Sequence, residues 1–192
     1  MRTVVSTICL MMISVGMASD KSDRDSQRAK WQAFRGIKWE TSLAQYVNNK
    51  DVNEPSMILL SSSDDGLTTD YTRCEEKMSI GKAKLSFIAY RCYKGKFYEV
   101  MVGAEKQANF KRLKEAVFAY YGRGVQENEF IEKWTWVLPL TKREAESNKK
   151  IFLVLKYNEF SEECYFTIVY LPIHFQYARD LKEAAEKAKD DF

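Results

Sequence analysis

Apolar and polar positions along the chain predict a series of short strands and one clear helix. Two β-rich runs cover 84–93 and 96–103, and the turn pair Lys94-Gly95 between them predicts a hairpin. Apolar residues then recur at helical spacing over 110–121, and Gly122 is typical of a helix end. A hairpin followed by a helix therefore forms the best-defined part of the pattern.

Further strand patterns lie on both sides of this helix. Segment 34–39 alternates and predicts a strand, after which Thr41 or Ser42 begins a short helix. Three β-rich runs follow the long helix and are typical of an antiparallel meander; they cover 130–138, 151–157 and 164–171. This order predicts an α+β fold, an antiparallel β-sheet with one main helix and a short helix packed on one face.

The first 18 residues have the pattern of a secretory signal peptide. Arg2 precedes an uncharged apolar stretch over 4–17, and Gly16 and Ala18 stand at the −3 and −1 positions of a cleavage site. The stretch is too short and too rich in Ser and Thr for a stable transmembrane anchor. We therefore expect a bacterial protein that is exported to the periplasm or secreted.

The rest of the chain divides by its polarity. Residues 19–33 form a polar leader without an apolar stripe, and 34–175 contain all the strand and main-helix patterns. Residues 176–192 are rich in Ala and charge and predict a C-terminal helix or tail. The predicted organisation is a signal peptide, a leader, a single α+β domain and a charged C-terminal segment.

Composition supports one domain and excludes one class of partner. The 192 residues are 45% hydrophobic and 14% aromatic, which is enough apolar material for a core. The chain carries 30 Lys and Arg against 27 Asp and Glu, a net charge of +3. Because binding to phosphate backbones needs concentrated positive charge, we do not expect a nucleic-acid partner.

Three cysteines remain after removal of the predicted signal peptide. Cys74 and Cys92 flank a turn and a strand, so a disulfide between them is one interpretation, and free thiols are the other. Cys164 lies in a predicted buried strand, where a thiol behaves as a small apolar group. Because the sequence has no C-x-x-C pair and its single histidine is His174, we expect no metal and no cofactor.

Aromatic residues provide the main candidate for a binding surface. Rings and cations cluster around the predicted hairpin, and two tryptophans lie two positions apart, on one face of a predicted strand. The competing interpretation, favoured for most of these rings, is that they form the core between sheet and helix. The candidate binding residues are Tyr90, Tyr93, Lys94, Lys96, Trp134 and Trp136.

Three sequence motifs resemble those of a known group of proteins. FRGIKWETSL at 34–43, the stretch over 71–102, and NFKRLKEAVFAYYGRG at 109–124 resemble a group of small exported bacterial proteins of uncharacterised function. The resemblance implies a setting in the bacterial cell envelope and transfers no catalytic residues. Glu40 stands where those proteins have a glycine, so we expect a different entry into the first short helix.

The sequence favours a binding protein over an enzyme. We expect a non-catalytic interaction protein of the envelope that binds an envelope or secreted protein through a few aromatic anchors. An exposed edge strand, either 57–60 or 164–171, would recruit the partner by strand addition instead. The alternative function is an envelope hydrolase with paired carboxylates, which requires two acids in one cleft and a raised pKa on one of them.

Overall fold

The structure is a computed structural model that describes residues 31–49, 51, 53–140 and 149–190. The predicted signal peptide at 1–18 and leader residues 19–30 lie outside the described residues. Within them, the chain forms twelve strands, a short 3-10 helix at Leu43–Tyr46 and two α-helices. The elements are β1 Ala33–Phe34, β2 Ile37–Lys38, β3 Met57–Ser62, β4 Thr68–Arg73, β5 Ser79–Ile80, β6 Ala83–Lys84, β7 Phe87–Tyr93, β8 Lys96–Glu105, α1 Gln107–Tyr121, β9 Val125–Gln126, β10 Lys133–Pro139, β11 Lys150–Asn158, β12 Glu163–Tyr170 and α2 Leu171–Asp190.

Eight strands make one antiparallel sheet in the order β3-β4-β7-β8-β12-β11-β10-β9. Each half of this sheet is built from neighbours in sequence, with β3, β4, β7 and β8 in the first and β9 to β12 in the second. The halves join where β8 pairs with β12, so that Val100 lies opposite Ile168. The predicted α+β class, the antiparallel sheet and the meander after the helix are confirmed.

The predicted hairpin at Lys94-Gly95 is also confirmed. β7 and β8 pair on either side of it, with Tyr93 opposite Lys96. Lys94 has φ +48° and Gly95 has φ +75°, so both central residues adopt the left-handed conformation. This is the geometry that a tight two-residue turn needs to match the twist of its two strands.

Helix α1 covers one face of the sheet, which we call the α1 face. Its Phe110 ring stacks on Tyr157 with centroids 4.9 Å apart, and Phe118 meets the edge of Trp134 at 4.9 Å. Gly122 ends the helix in the left-handed region at φ +78° and donates its N–H to the Phe118 carbonyl. The apolar side chains between helix and sheet form the main core.

Helix α2 packs on the opposite face, which we call the α2 face. It begins at Leu171, directly after β12, and therefore starts before the predicted charged tail at 176. Pro172 does not lead into a loop but fits the first helical turn, where its missing N–H costs nothing. Tyr177 meets Tyr93 at 5.0 Å and ties the helix to the sheet. No helix among the described residues is both long and apolar enough to cross a membrane.

The beginning of the domain differs from the expected single strand over 34–39. The chain instead forms a small hairpin, β1 with β2, around Arg35 at φ +48° and Gly36 at φ +84°. The expected short helix is the 3-10 helix, whose Leu43 is fully buried. Strand β4 was not predicted, because Tyr71 is its only buried residue and the alternation is correspondingly weak.

Candidate functional site

The aromatic residues predicted to form a binding surface lie in the core. Tyr90 and Tyr93 are 0% and 2% exposed, and Trp134 and Trp136 are 4% and 6% exposed. The four rings are therefore corrected from binding residues to core residues, because α1 or α2 covers each face of the sheet on which they lie. Lys94 and Lys96 are exposed at the hairpin, and Lys94 forms an ion pair with Asp180 at 2.6 Å.

The predicted disulfide between Cys74 and Cys92 is not formed, and Cys164 is also a free thiol. Cys92 lies opposite Thr69 in the sheet, whereas Cys74 comes five residues further along the chain. Those residues span about 16 Å in extended chain, well beyond the roughly 7 Å that a disulfide bridges. Cys92 and Cys164 are buried, and burial raises the pKa of both thiols to about 12. Cys74 is the one partly accessible thiol among the described cysteines.

Strand β3 forms an open edge of the eight-stranded sheet. It pairs with β4 on one side, and on the other side only Met57 has a strand neighbour among the residues that the structure describes, through an isolated parallel bridge to Val47. Beyond Met57 three successive apolar side chains are about half exposed: Ile58 at 49%, Leu59 at 50% and Leu60 at 54%. An uncovered, uncharged and apolar edge is unusual, since sheet edges are commonly protected by charge, proline or covering segments.

The second predicted edge strand does not lie at an edge. Segment 164–171 corresponds to β12, which is paired on both sides, with β11 and with β8. Its residues from Ile168 to Tyr170 are buried. The prediction of strand addition at 164–171 is therefore wrong, and the prediction at 57–60 is the one that coincides with an edge.

A cleft of about 1090 Å³ opens between α1 and the segment that follows β4. The turn between β5 and β6 forms one wall, where Gly81 has φ +56° and comes so close to α1 that a Cβ at this position would lie 2.9 Å from the Ala116 Cβ. The buried side chains of Val117 and Phe166 form its base, and the half-buried Ile80 and Tyr121 supply accessible apolar surface. The exposed rim carries Asp51, Glu54, Glu75 and Lys77.

Arg35 and Glu76 form an ion pair inside this cleft. The Arg35 guanidinium donates to the Glu76 carboxylate and, at 2.8 Å each, to the backbone carbonyls of Lys77 and Ser79. Tyr90 donates its hydroxyl to the other oxygen of Glu76, and burial with this contact raises the pKa of Tyr90. Both oxygens of the Glu76 carboxylate therefore accept hydrogen bonds from within the fold, and this geometry is that of a structural anchor.

Arg73 and Cys74 line the same cleft without such partners. The only hydrogen bond that the Arg73 side chain donates among the described residues runs to the Arg35 carbonyl at 3.5 Å, and no carboxylate there forms an ion pair with it. Both side chains are half-buried. The cleft therefore combines a cation without an ion pair among the described residues, a partly accessible thiol and an apolar floor.

A second charged cluster lies on the α2 face. Arg91 donates to both oxygens of Asp70 at 2.7 and 3.0 Å and stands 3.6 Å from Glu99. Burial raises the pKa of Glu99, and the positive charge of Arg91 opposes that shift. The two acids thus share one cation that lies between them.

Neither a search for metal sites nor comparison with known proteins adds a candidate site. Across 31–49, 51, 53–140 and 149–190, no group of three or more His, Cys, Asp or Glu side chains is placed to hold a metal ion. Neither a known protein family, nor a curated protein, nor a solved structure matches the chain.

The cleft itself was missed from the sequence. Its described lining residues come from separate parts of the chain, 33–35, 49, 51, 54–56, 73–81, 116–121 and Phe166. Three of these parts overlap the motifs that carry the resemblance, but those motifs transfer no site residues. The one available signal was the charge at Arg73 next to Cys74, at the end of a strand whose pattern is weak. Only the folded chain brings these segments together.

Proposed function

We propose that the protein is an exported, non-catalytic binding protein of the bacterial cell envelope, which binds an extended segment of a partner protein along β3. The observation that carries the proposal is the open edge with its three successive half-exposed apolar residues. Strand addition supplies backbone hydrogen bonds to such an edge, and the side chains on either side of the added strand give specificity.

The geometry limits where the partner strand lies. Val47 already occupies the outer side of Met57, so the added strand pairs from Ile58 onward, towards Ser62. Leu60 lies at an irregularity in the pairing with β4, between Leu59 and Ser61, and is the most exposed of the three apolar residues. A partner segment with apolar side chains would cover this surface and remove it from water.

The hydrolase alternative has less support. Its best candidate acid is Glu99, whose pKa is raised by burial, and Asp70 is the nearest partner in the same cluster. A shared arginine between the two acids holds both in fixed ion pairs, an arrangement more typical of structure than of acid and base catalysis. We therefore retain binding as the proposed function.

Site-specific photo-cross-linking in cells of the source organism tests the proposal. A photoreactive amino acid at position 60 is expected to capture one defined envelope protein, and the same residue at position 181 is the control. Leu181 is 51% exposed, as Leu60 is 54% exposed, but it lies on α2 away from any strand edge. Equal capture from both positions, or none from position 60, would contradict the proposal.

A matched pair of substitutions then tests the mode of binding. Leu60→Lys places a charge on the edge and is expected to weaken partner binding at least tenfold, whereas Leu181→Lys leaves it unchanged. Amide hydrogen exchange of the complex supplies the backbone evidence. We expect slower exchange at 58–62 on binding, and unchanged exchange there would exclude strand addition even if a partner binds.

A further inference from the structure

The cleft between α1 and the segment after β4 carries an inference independent of the β3 edge. Its two arginines differ in their surroundings. Arg35 donates to one carboxylate and to two backbone carbonyls, so its charge is compensated within the fold. Arg73 has one long hydrogen bond to a carbonyl and no ion pair among the described residues. Arg73 is therefore the donor in this cleft that is available to an anion.

The end of β4 holds Arg73 in place. It lies opposite Met57 in the sheet, and Met57 is 1% exposed, so the arginine stem starts from a rigid and buried position. The Arg73 guanidinium is close enough to Tyr90 to lower the pKa of that hydroxyl, in opposition to the effect of burial. An anion bound there would meet a fixed cation with several unused N–H groups, the geometry that favours a carboxylate.

Next to this cation, the cleft offers apolar surface rather than further charge. Val117 and Phe166 are each 2% exposed and form the closed base of the cleft, while the half-buried Ile80 and Tyr121 present the apolar surface that a ligand reaches. Among the described residues the rim carries three carboxylates and one lysine, a net negative border that repels ligands with several negative charges. The volume of about 1090 Å³ matches that of sites for small organic ligands.

We infer that this cleft binds a small amphipathic monocarboxylate, with the carboxylate on Arg73 and an apolar body against Ile80 and Tyr121. The single charge of the ligand pairs with the arginine, which has no ion pair among the described residues, and its apolar body covers the accessible apolar lining. The acidic rim selects against phosphates and other polyanions. The cleft lining does not include residues 58–62 of β3, where the partner strand is proposed to pair, so the site stands or fails without the proposed strand addition.

Cys74 provides a built-in reporter for this site. It lines the cleft beside Arg73 and is partly accessible, whereas Cys92 and Cys164 are buried. The experiment measures the rate at which iodoacetamide alkylates Cys74 in the native protein, followed by mass spectrometry of the peptide that contains it. Decanoate is the probe, 1-decanol is its uncharged match, and inorganic phosphate is the polyanion. Decanoate is expected to slow alkylation at least fivefold, and phosphate is expected to have no effect.

Variants separate the arginine from the apolar surface. Each variant is compared as the ratio of its rates with and without decanoate, because a change of charge beside the thiol also alters its intrinsic reactivity. Arg73→Gln is expected to abolish protection and Arg73→Lys to retain part of it, while Arg112→Gln, on the exposed side of α1, leaves protection intact. Calorimetric titration of decanoate into the same variants checks binding without the thiol.

Each outcome is decisive for this inference. If decanol protected Cys74 as strongly as decanoate does, the cleft would bind ligands through its apolar surface alone, and the role assigned to Arg73 would be overturned. Undiminished protection in a folded Arg73→Gln variant would do the same. Strong protection by phosphate would contradict the selectivity assigned to the acidic rim, and no protection by decanoate would overturn the site.

Discussion

The two faces of the sheet are covered in different ways. On the α1 face a large apolar core lies beneath the helix, with Leu153, Leu155 and Phe166 between 0% and 2% exposed, and ion pairs such as that of Arg35 with Glu76 lie at its border. On the α2 face, a charged cluster around Arg91 lies close to the helix, and Val137 at 56% and Tyr165 at 41% stay exposed. Because burial of apolar surface supplies most of the stability, the α1 face determines whether the domain folds. The α2 face holds a helix that is able to open separately.

The largest expected effect comes from a change on the α1 face. Leu153→Ala removes a side chain that is 0% exposed and leaves a cavity beneath α1, so we expect a loss of about 2–5 kcal/mol in the free energy of unfolding. Urea denaturation measures it. Leu181→Ala on the exposed side of α2 is the matched control and should change stability by less than about 0.5 kcal/mol. Similar losses for both leucines would remove the distinction between the faces.

A smaller effect is expected where α2 meets the sheet. Tyr177→Ala removes the contacts with the Tyr93 ring at 5.0 Å and the Tyr98 ring at 6.4 Å, at a cost of about 1–2 kcal/mol. Hydrogen exchange should become faster in α2 and stay unchanged in β11. Tyr177→Phe keeps the ring and should retain most of the protection. Faster exchange throughout the sheet would show that the two faces unfold as one unit.

The smallest effect is a change in pH dependence. Burial raises the pKa of Glu99 above 4.5, so the folded state holds its proton more tightly than the unfolded chain. Stability from this group is fully present below the unfolded pKa and is lost as pH rises through the folded pKa. Glu99→Gln removes the titration, and its stability relative to the parent protein should therefore rise with pH above 4.5. Denaturation at a series of pH values measures this difference, and a difference constant with pH would show that Arg91 compensates the burial.

Local patterns were sufficient to predict the elements whose turn and burial signals agree. Lys94-Gly95 supplied the two residues that the tight turn needs, and the apolar spacing before Gly122 matched the buried side of α1. The prediction of one strand over 34–39 was wrong because the alternation of apolar and polar residues continues through a turn. Arg35 adopts a positive φ in that turn, which an arginine in the sequence does not predict. Conformations of this kind are imposed by the surrounding structure and leave little trace in the sequence.

Glu40 gives a second example of this limit. It has φ +69°, a conformation that favours glycine. Its N–H donates to the Phe97 carbonyl at 2.8 Å, and its carboxylate accepts the Tyr170 hydroxyl at 2.9 Å. A glutamate at position 40 was visible in the sequence, but its hydrogen-bond partner, 130 residues away, was not.

Prediction of the functional site from the sequence met the same limit. The strand at 57–60 was predicted because a short apolar run is a local feature, but the sequence did not decide whether this strand or 164–171 lies at the edge of the sheet. The aromatic surface was wrong because sequence spacing does not say which face a helix covers, and both faces of the sheet turned out to be covered around those rings. The cleft required contacts between distant segments, which no local pattern contains.

The pairing of β8 with β12, which joins the two halves of the sheet and which we call the seam, also sets the order in which the domain is able to fold. Ala104 pairs with Cys164, 60 positions later (164 − 104), while every other pairing within the two meanders spans a much shorter loop. Since each doubling of loop length adds about 0.6 kcal/mol of closure entropy, the seam is the most expensive pairing and is expected to form last. During synthesis the first meander is complete before β12 emerges. Until then β8 is itself a temporary edge, with Val100 and Val102 uncovered on it, and the newly made chain is most prone to misassembly in that interval.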